Sequence, residues 1–175
     1  MTRVFDATPL IYLAKIDRLD VVETVDEPRL VPEVVYEEVV TDGIDAGYDD
    51  ARRVEQAVEN GTLEVVSVDV DDSTLATRLT RHPGLSDADI AVLACADARD
   101  AVAVMDEATG RSAAEVEGIE TRGTAFLILL AVKRGSLSSE VARETIDAMI
   151  DAGWYVTPDL YTKIVRKLES FDSEQ

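Results

Sequence analysis

Four acids in this 175-residue chain stand where a surface acid should not. The stretch "GLSDADIAVLACA", Gly84 to Ala96, reads as a helix of small and apolar residues with Asp87 and Asp89 in its first turn. Helical side chains advance by about 100° per residue. Leu85, Val92, Leu93 and Ala96 then share an apolar face, with Ile90 at its edge; Asp89 falls inside that face and Asp87 opposite it. In "VPEVVYEEVV", Glu38 projects into the face of Val31, Val34, Val35 and Val39, whereas Glu37 does not. Asp6 ends the strand "RVFD", and Asp106 follows the strand "AVAVM". A carboxylate buried alone is expensive unless a cation or hydrogen-bond donors meet it. Carboxylates crowded together need a cation or a proton between them. With no histidine or cysteine among them, Asp6, Glu38, Asp89 and Asp106 would form an all-oxygen site suited to Mg²⁺ or Mn²⁺. The chemistry natural to such a site is metal-assisted phosphodiester hydrolysis.

Each acid also has a plainer reading. Ser86 followed three residues later by Asp89 has the form of a capping box, and acids suit a helix N-terminus. Glu38 lies past any first turn, so it caps nothing, but it reads equally as an amphipathic edge position reaching water. Asp6 or Asp106 taken singly is an ordinary strand-end residue.

The pattern predicts the elements that would position these acids. Strands are expected at 3–6, 29–31, 63–68, 101–105 and, weakly, 119–121. Between them lie a helix with Thr8 as N-cap and Pro9 at its first position, helical period over 18–25, and a helix opened by Pro32 and stopped by Asp42-Gly43. Further helices are expected at 48–60, around "DSTLATRL", and in "RSAAEVEG", then at 123–134, 138–152 and 158–169. Strands alternating with helices imply an α/β fold with a parallel sheet flanked by helices. Sites in such sheets lie at the carboxyl ends of strands where the order reverses. If it reverses after strand one, strands one and four are neighbours, and Asp6 and Asp106 end side by side. No repeat or linker divides the chain, so we expect one domain over 1–170 and a frayed tail at 171–175.

Composition bounds the rest. Cys95 is the single cysteine and His82 the single histidine, which excludes an internal disulfide and a Cys-rich zinc site. No apolar run approaches the roughly 20 residues of a membrane span, and the N-terminus lacks a signal-peptide core. A cytoplasmic protein with no membrane partner is the expectation. The net charge is −19, from 36 acids and 17 bases, of which only four are lysine. A lysine-poor acidic surface fits a salt-rich cytoplasm, where a Debye length of about 3 Å at 1 M salt screens self-repulsion. The bases concentrate late: residues 111–175 carry 11 acids and 8 bases, against 25 and 9 before them. Contact with a phosphate backbone is therefore expected in the later part. No aromatic-studded basic groove is evident; the tyrosines and Trp154 look scattered and read as packing residues.

Taken in order, "VFDAT", "VYEEVV", "GLSDADIAVLACA" and "AVMDEATGR" resemble a PIN domain. The run from "EVEGIETRGTAFLILLAVKRG" to "PDLYTKIV" further resembles a PIN-like subfamily without assigned function. The resemblance covers nearly the whole chain and implies a three-layer fold with sheet order 3-2-1-4-5 and extra C-terminal helices. It implies a Mg²⁺- or Mn²⁺-dependent ribonuclease acting on RNA, in the manner of VapC-type toxins, with a small antitoxin partner and homodimerisation. It maps the metal-binding acids to Asp6, Glu38, Asp89 and Asp106, and a hydroxyl beside the first acid to Thr8. Asp87 and Arg111 are candidates for supporting or phosphate contacts. The subfamily often has Gly-Glu where this chain has Ala88-Asp89, and Asp is usual in the wider family.

Two rivals follow from the same residues. One is a non-catalytic PIN-like module that binds nucleic acid or protein; the presence of all four acids speaks against it. The other is phosphotransfer through an aspartyl-phosphate at Asp6. Phosphatases of that kind need an acid two residues on, and this chain has Thr8.

Overall fold

The sheet consists of five short strands: β1 (Arg3–Phe5), β2 (Arg29–Pro32), β3 (Glu64–Val66), β4 (Val102–Val104) and β5 (Thr121–Arg122). The computed structural model describes residues 1–174. The strands are all parallel and run in the order β3-β2-β1-β4-β5. The reversal falls between β1 and β4, where Arg3 pairs with Val102 and Phe5 with Val104. Val4, Phe5 and Val102–Val104 are fully buried, as expected for strands covered on both faces.

Among the described residues the α-helical segments are α1 (Ala7–Lys15), α2 (Glu33–Tyr36), α3 (Asp42–Asp45), α4 (Asp49–Glu59), α5 (Thr74–Leu79), α6 (Asp87–Ala98), α7 (Ala108–Val116), α8 (Thr124–Lys133), α9 (Ser139–Asp151) and α10 (Pro158–Ser173). α6 lies against β1, β2 and β4 and also touches α2 and α5. Its residues Ala88 to Ala96 are all buried, so the single apolar stripe expected for it is its whole circumference. α8, α9 and α10 pack on one another beyond the sheet. No helix among the described residues is long and apolar enough to cross a membrane.

Four expectations are corrected. α1 starts at Ala7, with Asp6 rather than Thr8 at the N-cap position. The residues expected as a helix at 18–25 form a 3₁₀ segment, Leu19–Thr24. The helix expected to stop at Asp42-Gly43 continues: α2 passes through a π-helical turn, Glu37–Thr41, into α3. Gly43 is there for closeness, since a Cβ on it would stand 2.8 Å from the Ala51 Cβ of α4. Finally, α10 runs to Ser173 instead of fraying from 171, because Phe171 packs against the core and the Lys167 ammonium lies 5.0 Å from its ring centre. Gln175 lies outside the described residues.

Candidate active site

The residues that end β1 and begin α1 and α6 enclose a cavity of about 250 Å³. Asp6, Thr8, Glu38, Ser86, Asp89 and Glu107 are on its wall. Asp6 leaves β1 with its amide bonded to the Val104 carbonyl at 3.0 Å, which pins the strand exit to β4. It takes the N-cap position of α1, yet its side chain accepts no capping bond from that helix. The carboxylate is left for the cavity, and the residue is only 4% exposed.

Asp89 is 8% exposed and belongs to a complete capping box. The Ser86 amide donates to Asp89 Oδ2 at 3.0 Å, and the Asp89 amide donates to Ser86 Oγ at 3.1 Å. The box fixes the rotamer of Asp89 and uses one of its two oxygens, so starting the helix and facing the cavity are compatible. Glu38 arrives on the π-helical turn of 37–41, an extra-residue insertion common at functional sites. Glu107, the N-cap residue of α7, completes the acidic lining.

Among the described residues, none of these four acids forms an ion pair with a lysine or arginine. The electrostatic consequence is large. Burial pushes the Asp6 carboxyl up to about 7; the Ala7 amide opposes this, and the charges of Asp89, Glu107 and Glu38 reinforce it. Glu38 is also pushed above the ordinary carboxylate range, by burial first and then by Asp89, Asp42 and Glu107. The neighbouring charges thus make the ionisation of Asp6 and Glu38 harder.

Hard oxygen donors in this number suit Mg²⁺ or Mn²⁺ rather than a softer metal. Among the described residues no three His, Cys, Asp or Glu side chains are disposed to hold a metal ion as they stand. A divalent cation there would need side chains to move inward or waters to complete its shell. Glu38 and Glu107 are the exposed members of the four.

Asp106 lies elsewhere. It follows the strand neighbouring Asp6, but its side chain lines a second cavity with Arg111 and Trp154. Its oxygens are occupied: the Thr124 amide donates to Oδ1 at 2.7 Å, the Thr124 hydroxyl to Oδ2 at 2.7 Å, and Trp154 Nε1 to Oδ2 at 3.3 Å. Asp106 thus holds the start of α8 and the indole of Trp154. The cavity acid nearest in sequence is Glu107. Of the supporting residues, Thr8 joins the acid cavity, Arg111 the second cavity, and Asp87 a third one with Glu33 and Glu37. Glu107 was not singled out from the sequence. The available signal was the paired acid in "MDEATGR", together with Thr124, whose N–H and hydroxyl claim the first of the pair.

Fold and cavity define an α/β domain with an acidic cleft at the point where strand order reverses. The chain belongs to the PIN-domain family, whose model matches residues 2–170. A comparison with curated proteins finds no significant match. PIN domains are generally nucleases that use divalent metals, which is the class of chemistry the cleft suits.

Proposed function

We propose that this PIN domain is a divalent-cation-dependent endoribonuclease that hydrolyses single-stranded RNA in the acid cavity. The observation that carries the reading is Asp6: a buried carboxyl, raised to about 7, facing three further acids with no basic partner among the described residues. Such an arrangement persists at a cost in stability that a bound cation would offset. Asp6, Glu38 and Asp89 would hold Mg²⁺ or Mn²⁺. Bound there, the ion supplies the positive charge that activates a water and stabilises the leaving oxygen. Asp89 is held in place by the Ser86 capping box, so this carboxylate meets the substrate already oriented. Asp6, with its amide fixed to β4, anchors the cavity floor. Glu107, at the open side, is the carboxylate left to accept the proton of the attacking water. Asp106 acts indirectly, by holding α8 and Trp154.

The test is cleavage of an unstructured RNA in Mg²⁺ or Mn²⁺ and in EDTA. Wild-type protein should cut only with metal, and Asp6→Asn and Asp89→Asn should fold but not cut. Undiminished cutting by both variants in EDTA would refute the reading. A toxin role adds a separate expectation: expression arrests growth, and a small partner encoded alongside relieves the arrest. The loose spacing of the acids favours one alternative, a PIN-like module that binds RNA without cutting it. RNA binding with no cleavage in any divalent metal would select that alternative.

A further inference from the structure

The second cavity, of about 320 Å³, has a character opposite to that of the rest of the molecule. Its wall carries three bases, Arg111, Arg122 and Lys163, against one acid, Asp106. Four other cavities among the described residues each carry more acids than bases. In a chain of net charge −19, a basic recess is the feature that needs a reason. Among the described residues the single acid forms no ion pair with these bases; its oxygens accept from Thr124 and Trp154. Arg111 and Lys163 form no ion pair among the described residues.

Aromatic groups share this recess. The Arg122 guanidinium lies 5.0 Å from the centre of the Phe126 ring and is fixed by Glu120 at 2.6 Å. The Trp154 indole is buried in the wall and tethered to Asp106. Tyr155 is 83% exposed at the rim, an unusual position for a large ring. Cations with exposed aromatic faces are the combination that binds an unpaired nucleotide, phosphate on the bases and nucleobase on a ring. The volume falls at the low end of the roughly 300–1,000 Å³ of small-ligand sites.

The recess also stands beside the acid cavity. Asp106 lines one and Glu107 the other, and consecutive Cα atoms are about 3.8 Å apart. The chain segment Asp106-Glu107 thus forms part of the wall of both. We propose that this recess is a subsite for one unpaired nucleotide of the RNA strand flanking the scissile phosphate. Lys163 and Arg111 hold its phosphate, and Tyr155 stacks on its base. As a statement about substrate, this rests on the nuclease reading; as a nucleotide site, it does not.

Trp154 is the single tryptophan of the chain, so its emission reports on this recess alone. The probes are UMP and AMP, with uridine and inorganic phosphate as separate arms, titrated into the full chain in EDTA. Both nucleotides should change the emission saturably, and neither uridine nor phosphate should match them. Tyr155→Ala should weaken the nucleotides by about tenfold, and Lys163→Gln should weaken them and flatten their salt dependence. A response equal for phosphate alone, or unchanged by both substitutions, would overturn the subsite. In RNA cleavage, both variants should raise KM with kcat retained. Cleavage at the wild-type KM by both would remove the subsite and leave the nuclease standing. Nucleotide binding that depends on Tyr155 and Lys163, with no RNA cut by the wild type, would uphold the site and remove the nuclease.

Discussion

Asp6 and Asp106 follow adjacent parallel strands and look equivalent in the sequence, yet their surroundings are opposite. Asp106 is saturated with donors: an amide, a hydroxyl and an indole N–H all reach it. Asp6 is buried beside other acids, has no capping bond from its own helix, and is pushed toward the neutral form. The strand-end position is shared; the donors differ. Asp106 is held by donors of the fold, whereas Asp6 meets other acids; on the proposed reading a cation supplies what Asp6 lacks.

Substitution of the two acids should act in opposite directions. Asp6→Asn should lower RNA cleavage by about a hundredfold or more, the size of several kcal/mol of lost charge stabilisation. The same substitution should raise stability in EDTA at pH 8, by up to about 4 kcal/mol for a carboxyl moved from 3.8 to about 7. Urea unfolding of the two proteins measures this, and a destabilised Asp6→Asn would break the contrast.

Asp106→Asn should behave in the reverse manner. It loses one acceptor while its three donors remain, at a cost of about 2–3 kcal/mol in urea unfolding, and it should cut RNA far better than Asp6→Asn. Wild-type stability combined with absent cleavage would assign Asp106 to the catalytic centre.

The pH dependence follows from the raised carboxyl. Between the ordinary carboxylate value and about 7, folded Asp6 keeps a proton that the unfolded chain has released. Stability of the metal-free protein should therefore fall as pH rises from about 4 to 7 and level off above. Melting temperatures in EDTA across that range test this, and millimolar Mg²⁺ should flatten the slope. The smallest expected effect is at the capping box: Ser86→Ala should cost about 1 kcal/mol and lower cleavage by freeing the Asp89 rotamer.

Much of the frame was legible because it follows from local pattern. The alternation of apolar strands with capped helices implies a parallel sheet, and the placement of β1 beside β4 follows from where such sheets reverse. Asp89 was legible as both cap and cleft residue, since Ser86 and the apolar run are its immediate neighbours. That Glu107 and not Asp106 lines the acid cavity was not legible from spacing, because it depends on Thr124 and Trp154, which lie 18 and 48 residues from Asp106. For the same reason Trp154 and Tyr155 looked scattered; their company with Arg111, Arg122 and Lys163 exists only after α8 and α10 have packed. The continuation through Gly43 was hidden because glycine signals a stop by its conformation and a close approach by its lack of a side chain, and the letter is the same.

On the proposed reading, the acid cavity and not Asp106 receives a divalent cation. A crystal soaked in Mn²⁺ and measured at the manganese absorption edge tests it most directly. An anomalous peak among Asp6, Glu38 and Asp89 is expected; a peak seated on Asp106, or none in the cavity at millimolar Mn²⁺, would overturn the metal assignment.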